Sequence, residues 1–94
     1  MFGSIFLVGI EAMIYQLEFK PKAVKDLQGI PHKMQLRILE KVELLKENLQ
    51  GDVKKLTDFT PEYRLRIGDY RILFEIEQQS VVIYRIRHRK ESYS

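Results

Sequence analysis

The pattern of apolar and polar residues predicts an element order of strand, helix, helix, strand, strand and strand. Four segments alternate between the two classes of residue: 14–19, 63–67, 70–76 and 81–87. A two-residue period sends side chains to opposite faces of a sheet and is typical of half-buried strands. Short turns at Gly68-Asp69 and Gln78-Gln79 join the last three strands as hairpins, and the first is the stronger turn signal.

Two short helices are predicted between the first strand and the other three. Pro21 suits the first turn of a helix over residues 22–28, and Gly29 ends that helix. Pro31 opens a second helix, which is predicted to run to about Leu49. The inward side of this second helix is predicted from apolar residues at helical spacing: Met34, Ile38, Val42, Leu45 and Leu49. Because so few residues join the two helices, they are expected to form an antiparallel hairpin.

These elements indicate an α+β fold in which a small antiparallel sheet packs one face against the N-terminal helical hairpin. Residues 53–62 are predicted to be a connection. Ninety-four residues make one domain, which we place at residues 13–94. Residues 1–12 are predicted to be a non-essential extension, or the product of a start codon upstream of Met13. The alternative is a short added strand or an oligomer contact.

Alternation also predicts which strand residues face the helices. The predicted core face of the last three strands carries Tyr63, Leu65, Ile67, Tyr70, Ile72, Phe74, Ile76, Val82, Tyr84 and Ile86. The opposite face is predicted to carry Arg64, Arg66, Arg71, Arg85 and Arg87, together with Leu73, Val81 and Ile83. That face therefore combines cations with apolar residues that the C-terminal tail or a partner would cover.

Positive charge is concentrated in the C-terminal third of the chain. The net charge is +3, and residues 63–94 hold seven basic against four acidic residues. Six of those seven are arginines, whose planar guanidinium offers a fork of donors that matches phosphate oxygens. The pattern indicates either a phosphate-binding face or an ordinary solvated sheet face.

The absence of cysteine excludes disulfides and thiolate chemistry, and it favours a reducing, cytoplasmic setting. With two histidines and no cysteine, the sequence has no recognisable metal motif, and we predict neither a metal nor another cofactor. The apolar residues 1–10 are too few to span a bilayer and lack the basic start of a secretory signal, so no membrane partner is predicted.

Two motifs in the last third of the chain resemble the RelE branch of the RelE/ParE superfamily, the toxins of bacterial type II toxin–antitoxin pairs. The first motif is Tyr-Arg-Leu-Arg-Ile-Gly-Asp-Tyr-Arg-Ile at residues 63–72, and the second is Arg-Ile-Arg-His-Arg-Lys-Glu-Ser-Tyr at residues 85–93. The strand and two helices before them fit the same family, so the resemblance covers residues 13–93. It implies a RelE-like fold.

The resemblance implies a ribosome-dependent endoribonuclease that enters the ribosomal A site, cuts the mRNA codon there and stops translation. The implied reaction is attack of a ribose 2′-hydroxyl on the adjacent phosphate, which leaves a 2′,3′-cyclic phosphate and needs no metal. The implied partners are the ribosome with its mRNA, a cognate antitoxin that blocks the site, and operator DNA, bound mainly through the antitoxin complex.

The site residues of the family match three positions of this chain. Arg71 matches the arginine beside the scissile phosphate, where its fork would stabilise the transition state. Arg89 matches the second arginine, near the leaving group. Tyr93 matches the terminal tyrosine, whose ring can stack on a base.

The general base is where this chain departs from the family. Some RelE toxins have two lysines where this chain has Arg64 and Arg66, and arginine is a poor base because it stays protonated. His88 is therefore our candidate for the base, since histidine titrates near neutrality. The residues predicted to bind RNA are Arg64, Arg66, Arg87, Lys54 and Lys55.

Two other functions stay open at this point. A ParE-like toxin would share the fold but inhibit DNA gyrase, and that branch normally lacks the full set of arginine, histidine and tyrosine residues found here. A non-catalytic domain that binds nucleic acid or protein, such as an inactivated toxin, is the other alternative, which the missing lysines leave open.

Overall fold

The computed structural model describes residues 14–90, which form two helices and five strands. In chain order the elements are β1 (Gln16–Phe19), α1 (Pro21–Gln28), α2 (His32–Leu44), β2 (Val53–Lys55), β3 (Tyr63–Ile67), β4 (Tyr70–Glu77) and β5 (Ser80–His88). The predicted α+β class and the predicted last three strands are confirmed. The predicted extension at residues 1–12 and Tyr93 lie outside the described residues.

The five strands make one mixed sheet in the order β1-β5-β4-β3-β2. From β2 to β5, each strand pairs antiparallel with the next one along the chain. The two hairpins of β3, β4 and β5 are as predicted. β1 differs from the prediction because it runs parallel to β5, with Gln16 beside Ser80 and Phe19 beside Ile83. Parallel neighbours need a long connection, which the two helices and the other strands supply.

Both helices contribute to a core on one face of this sheet. α1 lies against β5, and α2 lies against β3. The buried residues of the core cluster are Ala23, Ile38, Val42, Leu45, Leu65, Ile67, Ile72, Phe74, Val81, Ile83 and Ile86. The opposite face of the sheet is left without a helix from the described residues.

α2 ends at Leu44, before the predicted end near Leu49. The apolar pattern itself continues, since Leu45 is fully buried. After Leu44 the helical bonds tighten, with the N–H of Lys46 donating to the carbonyl of Glu43, and the carbonyl of Lys46 accepts the N–H of Tyr15 at 2.8 Å. The chain then passes through left-handed conformations at Asn48 and Leu49, with φ 57° and 54°. Neither of the described helices has the length and apolar character needed to cross a membrane.

A bulge in β5 reverses the predicted faces of its first half. The pairing of β4 with β5 shifts register after Leu73, which leaves Tyr84 as an extra residue in β5. Beyond this bulge, Val81 and Ile83 belong to the core cluster, so their predicted place on the polar face is wrong. Val82, which was predicted for the core face, is buried but lies outside that cluster.

β2 lies in the segment that the sequence predicts to be a connection. It has only three residues, Val53–Lys55, and pairs antiparallel with β3. Two of its residues are lysines, which are typical of edge strands because they discourage pairing with another chain.

Candidate functional site

Three arginines form a row across the sheet face opposite the helices. Strand pairing sets Arg66 of β3 beside Arg71 of β4, and Arg71 beside Arg87 of β5. Directly paired residues of antiparallel strands point to the same face, with Cα atoms about 4.5–5.5 Å apart. Because the adjacent residues Ile72 and Ile86 belong to the core cluster, the three arginines face away from it. The predicted grouping on one face is therefore observed.

A second row on the same face adds Lys54 and Arg64, which are paired across β2 and β3. Lys55 pairs with Tyr63 and alternates with Lys54, so it belongs to the other side of the sheet. The structure thus brings one of the two predicted lysines to the arginines and not the other. We call the surface formed by Lys54, Arg64, Arg66, Arg71 and Arg87 the arginine face.

Asp52, a residue to which the sequence analysis gave no role, holds two members of the arginine face. Its carboxylate lies 3.0 Å from Nε of Arg66 and 3.7 Å from a terminal nitrogen of Arg64. The Arg64 side chain is only 12% exposed, against 56% for Arg66, so Arg66 is the more accessible cation. Asp52 therefore offsets part of the positive charge at this end of the face.

The turn at Gly68-Asp69 holds the two predicted catalytic arginines. One terminal nitrogen of Arg71 donates to the carbonyls of Gly68 at 3.0 Å and of Tyr70 at 3.2 Å. The N–H of Arg89 donates to the carbonyl of Asp69 at 2.6 Å, and its Nε lies 3.8 Å from the Asp69 carboxylate. Gly68 makes this turn possible with φ 56°, a conformation that costs glycine little. Arg71 and Arg89 therefore lie at the same end of the sheet.

His88 lies at the end of β5 but does not join the arginine row. It pairs with Tyr70 and meets that ring edge-on, with centroids 5.4 Å apart and planes at 82°. Alternation therefore sets it on the side opposite Arg87. Its Nδ1 accepts the N–H of Lys90 at 3.2 Å, and a neutral imidazole bonded in this way has its proton on Nε2. The role of His88 as general base stays a prediction, and the geometry gives it no open proton acceptor in this conformation.

Asp26 of α1 forms a long-range contact with β5 that the sequence analysis missed. Its carboxylate accepts hydrogen bonds from Nε of Arg85 at 2.8 Å, from a terminal nitrogen of Arg85 at 3.1 Å, and from the N–H of Ile86 at 2.9 Å. The pairing of β1 with β5 stops at Ile83, so the β5 edge beyond it has no neighbouring strand in β1. There the Asp26 carboxylate accepts the backbone N–H of Ile86 in place of a strand carbonyl. The contact fixes β5 directly before Arg87.

The charge state of Asp26 reflects these partners. Burial by itself raises the pKa of Asp26, but the hydrogen bonds from Arg85 and Ile86 and the charges of Arg85 and Arg87 outweigh it, so that the pKa lies below its ordinary value of 3.8. At neutral pH, Asp26 is therefore a negatively charged carboxylate that forms an ion pair with Arg85.

The arginine face can bind phosphate and stabilise negative charge that develops on it. Its guanidinium groups cannot remove a proton, because arginine stays protonated. Tyr93, the predicted stacking residue, lies outside the described residues. Within residues 14–90, no group of three or more histidine, aspartate or glutamate side chains is arranged to hold a metal ion.

The family described as ParE toxin of type II toxin-antitoxin system, parDE, matches residues 17–93. The match includes both helices, the arginine face and the tail. The chain belongs to this toxin family. Its place within the RelE/ParE superfamily follows from two archaeal relatives named as RelE toxins.

Both RelE relatives come from Methanocaldococcus jannaschii. Toxin RelE3 is 32% identical over 80 residues, which are 80% of this chain and 91% of that protein. Putative toxin RelE1 is 28% identical over 87 residues, which are 86% of this chain and 97% of that protein. The chain is therefore a type II toxin of the RelE type.

Solved structures of toxin–antitoxin complexes share the fold of this RelE-type toxin. The RelB–RelE complex from Methanococcus jannaschii matches with a TM-score of 0.69 and 32% identity, over 81% of this chain and 94% of that one. The RelBE2 complex from Mycobacterium tuberculosis matches with a TM-score of 0.69 and 28% identity, over 84% of this chain and 95% of that one. The RelE–RelB complex from Pyrococcus horikoshii OT3 matches with a TM-score of 0.65 and 27% identity, over 85% of this chain and 100% of that one.

Proposed function

We propose that this RelE-type toxin is a ribosome-dependent endoribonuclease that cuts mRNA in the A-site codon and thereby stops translation. The observation that supports this most is the row of Arg66, Arg71 and Arg87 on the sheet face opposite the helices. Such a row suits a phosphodiester, because several forked donors converge on one anionic group. Primer extension on ribosomes stalled over a defined codon tests the proposal.

In the proposed reaction, a ribose 2′-hydroxyl gives up its proton to a base and attacks the neighbouring phosphorus. The bond from phosphorus to the 5′-oxygen breaks, and that oxygen takes up a proton. Negative charge grows on the phosphoryl oxygens in the transition state. Arg71, at the centre of the row, donates to those oxygens, and Arg87 assists from the next strand. Arg89 stabilises the departing 5′-oxygen, and Tyr93 stacks on a base. The products are a 2′,3′-cyclic phosphate and a 5′-hydroxyl.

Arg71 is suited to this role because its position is fixed before substrate arrives. The carbonyls of Gly68 and Tyr70 engage one terminal nitrogen of its guanidinium. A side chain that is already ordered loses less conformational entropy on binding than a mobile one. Fixed donors also stabilise charge without reorganising during the reaction.

Replacing His88 with alanine is expected to lower cleavage by less than about tenfold. A general base typically contributes 10²- to 10⁴-fold, but the Nδ1 of His88 is engaged by the N–H of Lys90. Single-turnover cleavage of ribosome-bound mRNA measures the effect. His32→Ala, at an exposed position where α2 begins, is the matched control. A loss of 100-fold or more, seen only in His88→Ala, would assign the base to His88 after all.

Replacing Asp52 with asparagine is expected to tighten the binding of single-stranded RNA by about two- to fivefold. The carboxylate then no longer competes with phosphate for Arg64 and Arg66, and exposed ion pairs contribute roughly 0–1 kcal/mol. Fluorescence anisotropy at low salt measures the gain, which should shrink as salt is added. Asp58→Asn, in an exposed loop, is the control. Equal affinities for wild type and Asp52→Asn would remove this end of the arginine face from the RNA contact.

We further propose that a cognate antitoxin is the physiological partner and that operator DNA is bound mainly through the antitoxin complex. The fold neighbours from three organisms, each solved as a toxin–antitoxin complex, support a partner of this kind. Because the proposed substrate is mRNA on ribosomes, the proposed site of action is the cytoplasm. Stoichiometric antitoxin is expected to suppress cleavage.

Inhibition of DNA gyrase is the second candidate function, because the matching family is described by the name ParE. The arginine row and the RelE relatives favour cleavage of RNA over this alternative. A supercoiling assay separates the two functions. At toxin concentrations that cut ribosome-bound mRNA, gyrase is expected to stay active. Gyrase inhibition without RNA cleavage would support the ParE-like function.

A further inference from the structure

We infer that a cleft beside the arginine face binds a neighbouring nucleotide of the RNA, with the ring of Tyr84 as its stacking platform. This inference rests on the proposed function. The cleft has a volume of ≈ 510 Å³, which lies within the roughly 300–1,000 Å³ typical of small-ligand sites. Its lining residues are Lys20, Pro21, Lys22, Pro61, Tyr84 and Arg85.

The chemistry of the cleft suits a base attached to a phosphate. Pro21, Pro61 and the ring of Tyr84 offer apolar surface, and the remaining lining residues are cations. The ammonium of Lys20 lies 5.3 Å from the centroid of the Tyr84 ring. Aromatic rings interleaved with basic side chains are the usual means by which proteins hold single-stranded RNA without reading its sequence.

The bulge in β5 explains why Tyr84 is available for this contact. Tyr84 is the residue that the register shift leaves without a regular partner in β4. Bulges re-aim side chains and are frequent beside functional sites. In a regular strand Tyr84 would alternate with Arg85 and face the core, whereas here both residues line the same cleft.

Two contacts place acidic groups at one end of the cleft and a cation at the other. The hydroxyl of Tyr84 donates to the Glu77 carboxylate at 2.5 Å, and this bond, with the nearby charges of Glu75 and Glu18, raises the pKa of Tyr84. The carboxylates disfavour phosphate at that end. Arg85, held by Asp26 through two hydrogen bonds, marks the opposite, cationic side. The RNA backbone is therefore directed toward Arg85 and away from the acids.

The cleft lies close enough to the arginine row for one RNA strand to occupy both. Arg85 precedes Arg87 by two residues on β5, so alternation sets the two on the same face. From Tyr84 to Arg87 the strand rises by about 10 Å at roughly 3.3 Å per residue. A short stretch of extended single-stranded RNA can span this distance.

Fluorescence anisotropy with a labelled single-stranded hexanucleotide RNA tests the cleft in the full chain. Tyr84→Leu is expected to weaken binding by about 5- to 100-fold, the effect of losing one stack between a base and an aromatic ring. Tyr84→Phe keeps the ring and is expected to bind within about twofold of wild type, since stacking does not need the hydroxyl. Lys20→Gln, at the surface, is expected to weaken binding by about two- to fivefold without affecting the fold.

The same variants on stalled ribosomes separate this inference from the proposed function. If Tyr84→Leu loses affinity while wild type does not cut mRNA, the nucleotide site stands and the nuclease proposal fails. If wild type cuts mRNA but Tyr84→Leu binds the hexanucleotide as tightly as wild type, the nucleotide site is overturned. Should Tyr84→Leu fail to fold, unchanged binding by Lys20→Gln overturns it, as does wild-type protein that binds no hexanucleotide at low salt.

Discussion

Replacing Arg71 with alanine is expected to slow cleavage of A-site mRNA by about 100- to 1,000-fold, the usual effect of removing one preorganised donor to a developing anion. Arg71 has this effect because it stands between Arg66 and Arg87 and is fixed by the carbonyl of Gly68. Arg71→Lys is expected to recover only part of the rate, since an ammonium keeps the charge but not the planar fork. Single-turnover primer extension measures both variants.

Controls separate a loss of catalysis from a loss of binding. Arg37→Ala removes an exposed arginine of α2, outside the arginine face, and is expected to leave the rate unchanged. Saturating amounts of toxin on stalled ribosomes should not rescue Arg71→Ala, because its defect is in the chemical step. Full recovery at high toxin concentration would instead assign Arg71 to binding alone.

Replacing Asp26 with alanine is expected to lower the free energy of unfolding by about 2–3 kcal/mol, as for loss of hydrogen bonds to a charged group. The change leaves the Arg85 guanidinium and the Ile86 N–H without the acceptor that joins α1 to β5. Urea unfolding at neutral pH measures the effect. Glu43→Ala is the matched control, because it breaks an exposed ion pair with Lys46 at 2.8 Å and should cost less than about 0.5 kcal/mol. Equal losses in both variants would show that the Asp26 pair adds nothing beyond an exposed pair.

Acid should reduce the difference between wild type and the Asp26 variant. The pKa of Asp26 in the folded protein lies below its ordinary value of 3.8. Its contribution to stability is therefore complete above that value and is lost as the pH falls through the lowered pKa. Unfolding curves of wild type and Asp26→Asn are expected to converge in this acidic range. A constant difference down to the lowest pH would contradict the assignment.

The sequence was sufficient to predict the features that depend on local periodicity. Strands β3, β4 and β5 follow from alternation, and a glycine-containing turn sets the register between the first two. Once that register is known, Arg66 must lie beside Arg71 on the same face. For this reason the central part of the arginine face could be predicted before the structure.

Features that depend on distant contacts or on one inserted residue could not be predicted in this way. Asp26 and Arg85 are 59 residues apart along the chain, and α1 gives no local sign that its acid will meet β5. The bulge at Tyr84 shifts the alternation of side chains in β5, and no glycine marks its position in the sequence. β2 is too short for its alternation to be recognised, and the parallel pairing of β1 depends on how the whole chain closes.

The position of His88 illustrates the same limit for a candidate site residue. The sequence predicted His88 to be the base because histidine titrates near neutrality, and His88 directly follows Arg87 in β5. In a strand, adjacent side chains point to opposite faces, and His88 packs against Tyr70 instead. The proton acceptor of the proposed reaction therefore has to be identified by kinetics of the variants.

Primer extension on ribosomes stalled over a defined codon, treated with purified wild-type toxin, tests the central claim most directly. The account predicts cuts within the A-site codon that depend on the ribosome, with a 2′,3′-cyclic phosphate on the upstream fragment. The cuts should be lost in Arg71→Ala. Intact mRNA after incubation with folded wild-type toxin would contradict the account.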